Sequence, residues 1–116
     1  MQISQFQTLM KKLYYENDEK RGIPVTYMWF MEEVGELSES IRKFLTQKET
    51  NVFDKDPNNV LDTNDSINNI KEEMADVVAW LCSLANLLNI DLEDAVYRKY
   101  PDKCGKCGHN PCACNH

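Results

Sequence analysis

From Met74 to Leu88 the chain reads Met-Ala-Asp-Val-Val-Ala-Trp-Leu-Cys-Ser-Leu-Ala-Asn-Leu-Leu, which is apolar almost all the way round when stepped at roughly 100° per residue. A helix of that kind is enclosed by other helices, so it predicts a bundle built around it. Two carboxylates complicate this reading. Glu73 and Asp76 are three residues apart, neighbours on one face, and lie on the same side as Trp80 and Leu87. Acids beside such a surface are costly unless their charge is compensated, and a divalent cation with oxygen ligands does that economically.

A second acidic pair stands upstream in Trp29-Phe30-Met31-Glu32-Glu33-Val34-Gly35-Glu36-Leu37. Glu33 and Glu36 again share a helix face. On that helix Tyr27, Phe30, Met31, Val34, Leu37, Ile41 and Leu45 form an apolar stripe, while Trp29, Glu33, Glu36 and Ser40 form a second stripe well away from it. Four acids on two helices can therefore converge on one point. The competing reading is that they are ordinary solvated helix charges.

The rest of the chain supplies the partner helices. Ser4 with Gln7 three residues on reads as a capping box, and Phe6, Leu9, Met10 and Leu13 recur at helical spacing, predicting a first helix over about 4–19. Gly22 and Pro24 separate it from a second helix over about 24–48. Residues 49–65 are polar, rich in turn formers and without period, and read as a long loop. Asp65 or Ser66 can cap a third helix over about 66–89, and Asp91 a short fourth over about 92–99. The expected class is all-α and four-helix bundle-like, with a domain over 1–100 and a separate tail over 101–116.

A net charge of −6 lacks the basic face by which a chain grips a nucleic-acid polymer. No run of 18 or more apolar residues is present, as a membrane span requires, and the N-terminus has no signal-peptide layout. The expectation is a cytoplasmic protein with no membrane partner. An acidic protein that handles phosphates needs metal ions between the two.

After Pro101 the composition changes. Cys104, Cys107, Cys112 and Cys114 stand with His109 and His116 in a short run. Cys-x-x-Cys followed by glycine has the shape of a zinc knuckle, and Cys112-x-Cys114 can complete a four-ligand set, with either histidine as a substitute. In a reducing compartment metal is expected over disulfide; the alternative is an unstructured tail. Cys82 reads as a small core residue.

Glu32-Glu33-Val34-Gly35-Glu36-Leu37, the later Glu73-Met74-Ala75-Asp76, the Val-Val that follows, and Ile90 to Val96 with Lys99 behind them resemble the EExxE and ExxD signatures of the MazG-type nucleoside triphosphate pyrophosphohydrolases. The resemblance implies an all-α fold and Mg²⁺-dependent (or Mn²⁺-dependent) cleavage between the α and β phosphates of a nucleotide, giving monophosphate and pyrophosphate as nucleotide-pool house-cleaning. It implies Glu33, Glu36, Glu73 and Asp76 as metal ligands, with Glu32 as a supporting or base-like acid. Lys99 is the best match for a polyphosphate-binding cation, with Arg98, Lys71 and Arg21 behind it, and Trp29 is placed to stack on a base. The 49–65 loop and the cysteine tail depart from the compact family pattern.

Three short partners cannot cover so apolar a third helix, which predicts a homodimer or homotetramer; the resemblance implies the same. Within the enzyme class the nearest alternative is a phosphoribosyl-ATP pyrophosphohydrolase. Outside it, a zinc-dependent interaction module would make the cysteines the point and the helices a scaffold. A di-iron carboxylate bundle would use Glu-x-x-His, and no expected helix contains histidine.

Overall fold

A computed structural model describes residues 1–53 and 63–115. Among them are four helices and no strand: α1 (Ile3–Arg21), α2 (Ile23–Phe53), α3 (Thr63–Leu87) and α4 (Leu92–Lys99). The all-α expectation holds. No single helix among the described residues is long and apolar enough to cross a membrane.

The helix ends show which local signals operate. The N-terminal cap differs from expectation: Gln2 is the N-cap, and its N–H donates to Gln5 Oε1 at 2.7 Å. Gln7 is recruited by tertiary structure instead. Its side-chain amide donates to Asn86 Oδ1 at 3.0 Å and to the Ile90 carbonyl at 2.7 Å, while its Oε1 accepts the Leu92 N–H at 3.0 Å. One glutamine thus clamps α1 onto the turn between α3 and α4. The α1–α2 break falls at Gly22, whose φ of +85° is a conformation that side chains with a Cβ rarely adopt, and Pro24 sits in the first turn of α2.

The segment expected as a loop over 49–65 is shorter on both sides. α2 continues through Phe53 because neither Gly nor Pro interrupts it there, and α3 begins at Thr63; the remainder of that segment lies outside the described residues. Ser66 hydrogen-bonds Gln47, tying the start of α3 to α2. The other end of α3 closes with Asn89 at φ +56°, Asn89 N–H to the Asn86 carbonyl at 3.3 Å and Ile90 N–H to the Ala85 carbonyl at 2.8 Å. That pair of bonds is a Schellman motif with asparagine in the left-handed position. Asp91 then caps α4, accepting the Asp94 N–H at 3.1 Å, as expected.

α3 packs chiefly on α2 and next on α1, while α4 leans on α1. Met10, Ile70, Cys82 and Ala85 are the buried apolar residues among those described, with Thr26, Ser40 and Ser83 as small polar residues buried alongside. Cys82 is fully buried, as expected of a small core residue. Two expectations need correction. α3 is central but not enclosed within one chain: Met74, Val78, Leu81 and Leu88 are exposed. On α2 the apolar stripe is half bare, with Tyr27, Met31, Ile41 and Leu45 exposed, while Thr26, Glu33 and Ser40 turn inward. The cause lies in supply: α1 and α4 are too little to cover both long helices.

Candidate active site

The inward stripe of α2 meets α3 at the acids. One carboxylate oxygen from each of Glu33, Glu73 and Asp76 lies within 4.8 Å of the others. Glu33 and Glu73 are partly buried and Asp76 is exposed. Glu36 is outside that trio but hydrogen-bonds the side chains of both glutamates. Glu32 is exposed and stands apart from the group.

Crowded like charges with little water are expensive when ionised. Burial first, then the hydrogen bond and charge of Glu36 and the charges of Asp76 and Glu73, push Glu33 up to about 7 from an ordinary 4.5. Glu73 is raised too, first by burial and then by the charges of Glu36 and Asp76. Glu33 Oε2 and Glu73 Oε2 are buried with no hydrogen-bond partner among the described residues. Unpaired buried acceptors, mutual repulsion and an all-oxygen donor set fit a hard divalent cation such as Mg²⁺ or Mn²⁺, which takes carboxylate oxygens and completes its shell with water.

Beside Asp76 the surface sinks into a cleft of ≈ 400 Å³, walled by Tyr14, Asn17, Asp18 and Arg21 of α1, Trp29 of α2 and Trp80 of α3. The two tryptophan rings meet edge to face at 5.5 Å and 74°. The Arg21 guanidinium sits 4.6 Å from the Trp29 ring centre and 4.9 Å from that of Trp80, and donates to Asp18 Oδ1 at 2.8 Å. Asp18 is 2% exposed. A guanidinium pinned by a buried carboxylate and two rings is rigid and still cationic. Trp29 therefore belongs to the cleft, but Arg21 already lies over its ring.

Residue order points to Trp29 and only weakly to Arg21, and not to Asp18, Asn17 or Tyr14. Trp80 had a signal, since it stands one helical turn after Asp76. The α1 residues had none, because only the packing of α1 on α3 brings them in. Arg98 and Lys99 do not line this cleft: Arg98 pairs with Asp94 at 2.9 Å, and Lys99 lies 5.5 Å over the Tyr100 ring.

Cys104, Cys107, Cys112 and Cys114 gather separately, their sulfurs all within 4.8 Å of one another. His109 is not in that group and His116 lies outside the described residues. Backbone amides of Ala113 and His109 pull the Cys107 thiol down to about 5, whereas hydrogen bonding to Cys112, Cys107 and Cys104 pushes Cys114 up to about 11.

Comparison with protein-family models matches residues 24–107 to the MazG nucleotide pyrophosphohydrolase domain. A search of curated proteins finds no match.

Proposed function

Because the chain belongs to the MazG nucleotide pyrophosphohydrolase family, with well over half of it matched, we propose that it hydrolyses a nucleoside triphosphate, ribo or deoxy, to the monophosphate and pyrophosphate. The observation that carries this reading is the convergence of Glu33, Glu73 and Asp76, two of them with buried, unpaired oxygens. Those three, with Glu36 bridging the glutamates, would hold a divalent cation. Bound there, Mg²⁺ or Mn²⁺ supplies charge neutralisation at phosphate oxygens and acidifies water.

The reaction breaks the bond between the α phosphorus and the oxygen bridging to the β phosphorus. Water adds its oxygen to the α phosphorus, its protons pass to solvent or to a carboxylate, and pyrophosphate leaves with the bridging oxygen. In this reading Glu32, exposed and next to Glu33 in the chain, takes a proton from that water, since the ligand carboxylates would be engaged by the cation. The cleft next to Asp76 takes the nucleoside: the rings of Trp29 and Trp80 bound it, with Asn17 and the Arg21–Asp18 pair as its polar groups. Lys99 and Arg98 reach phosphate, in this reading, on a neighbouring copy.

The working form is a homo-oligomer, dimer or tetramer. Support comes from the bare apolar residues of α2 and α3, which water would otherwise solvate at a cost of about 25 cal/mol per Å². Nucleotide-pool house-cleaning is the role consistent with this activity; phosphoribosyl-ATP is the alternative substrate in the same bond-breaking class.

The test is product identification by phosphorus NMR from a panel of ribo- and deoxynucleoside triphosphates and phosphoribosyl-ATP with Mg²⁺, for the wild type and Glu73→Gln. Monophosphate and pyrophosphate from the wild type alone support the reading. Turnover of phosphoribosyl-ATP only would transfer it to that substrate, and orthophosphate release would contradict it.

A further inference from the structure

We propose that Cys104, Cys107, Cys112 and Cys114 form a closed, structural zinc site that ties the chain after α4 into a fixed turn. The sulfurs are spaced as one metal would space them. Cys104 Sγ lies 3.7 Å from Cys114 Sγ and Cys107 Sγ 3.9 Å from Cys112 Sγ, with all four inside 4.8 Å. Four thiolates at a Zn–S distance of about 2.3 Å on a tetrahedron stand about 3.8 Å apart along each edge. Directly bonded sulfurs would approach to about 2.05 Å, and two disulfides would not draw all four into one knot.

The backbone is shaped to hold this arrangement. Cys104 N–H donates to the His109 carbonyl at 2.9 Å and Gly108 N–H to the Cys104 carbonyl at 3.0 Å, closing a tight loop across the first cysteine pair. Gly108, at φ +74°, makes the left-handed step that the loop needs. Backbone amides point at sulfur, among them Lys106 N–H to Cys104 at 3.4 Å, Ala113 N–H to Cys107 at 3.3 Å and Cys114 N–H to Cys112 at 3.3 Å. Such donors offset thiolate charge and fix ligand orientation, which is how metal-bound cysteines are supported. Gly105 packs under the end of α4 so closely that a Cβ there would come 2.8 Å from the Lys99 carbonyl oxygen. The loop is therefore seated against the helix.

Soft sulfur ligands in a tetrahedral set select Zn²⁺ or iron over Mg²⁺, and four protein ligands leave no open position for a substrate. The site is thus structural, and it stands whether or not the acids between α2 and α3 hydrolyse nucleotides.

The test uses the full chain, purified without chelator or metal-affinity steps, with metal content by plasma mass spectrometry and Co²⁺ exchange by visible absorption. Expected is about one zinc per chain, as a single closed site holds, and a tetrahedral thiolate–cobalt spectrum after exchange. Cys107→Ser with Cys112→Ser should hold less than about a tenth of that zinc. Four thiols that titrate freely with no zinc taken up on addition would overturn the proposal, as would iron filling the site or full zinc retention by the double variant. Should that variant fail to fold, the wild-type cobalt spectrum alone decides: an octahedral, oxygen-ligated spectrum refutes the site.

Discussion

Among the described residues, two clusters of titratable side chains come within metal-binding distance, and they are made in opposite ways. The carboxylates join Glu33 of α2 to Glu73 and Asp76 of α3, so the cluster exists only when two long helices pack in register. The cysteines come from one short run and are brought together by local turns. The first is partly open, oxygen-lined and strained by its own charge. The second is sulfur-lined, closed and supported by its own backbone. The difference teaches that the two clusters can be told apart by what meets their donor atoms: the acids leave buried oxygens without a partner, while the sulfurs are met by backbone amides of their own loop.

The largest effects should separate the two clusters. Asp76→Asn should lower kcat for pyrophosphate release about 10³-fold, since a metal ligand contributes several kcal/mol to the transition state. Zinc content should not change, and parallel kinetics and metal analysis check both halves. Loss of zinc in this variant would mean that the clusters are not independent.

Gln7→Ala sharpens the same contrast through the fold. It removes the clamp that holds α1, and with it Asp18 and Arg21, against the α3–α4 turn. Leaving Asn86 and backbone groups without partners should cost about 1–3 kcal/mol, measured by urea denaturation. An unchanged midpoint would show that the clamp is redundant.

Glu33→Gln removes one of the crowded charges. In magnesium-free buffer its thermal midpoint should rise by a few degrees, about the size that small stability changes give in a domain of this length, while Mg²⁺ protects it less than it protects the wild type. A fall in the metal-free midpoint would mean that the acids do not repel.

The smallest effect is the pH dependence of that gain. Glu33 is raised from 4.5 to about 7, so the folded protein holds a proton that the unfolded chain has already lost in this window. The stability it confers is fully present below 4.5 and disappears as pH rises through about 7. Relative to Glu33→Gln, the magnesium-free wild type should therefore melt lower as pH climbs, and Mg²⁺ should reverse the trend above pH 7, where proton competition ends. A difference that stays flat with pH would place Glu33 in water.

Much of this was legible from residue order because the responsible signals are local. Asn89 and Asp91 end one helix and start the next with their own side chains or left-handed backbone, and the cysteine spacing fits inside a single loop. What escaped depends on packing. Ser4 and Gln7 match a capping pattern, yet Gln7 makes better bonds to Asn86 and Ile90, and the cap moves to Gln2. The apolar stripe on α2 reads as core, but Glu33 and Ser40 face α3 while Tyr27 and Ile41 stay bare. Nothing in the order of residues places Asp18 beside Trp29 and Trp80, because three helices must meet to do it.

The measurement that bears most directly on the carboxylate centre is Mn²⁺ binding, followed by electron paramagnetic resonance at pH 8, in the wild type, in Asp76→Asn and in the Cys107→Ser, Cys112→Ser double variant. Saturable binding should appear in the wild type and in the double variant, and weaken at least about tenfold in Asp76→Asn, as loss of a ligand or its support does. Equal Mn²⁺ affinity in the wild type and Asp76→Asn would contradict the account, because the acids of α2 and α3 would then be ordinary helix charges.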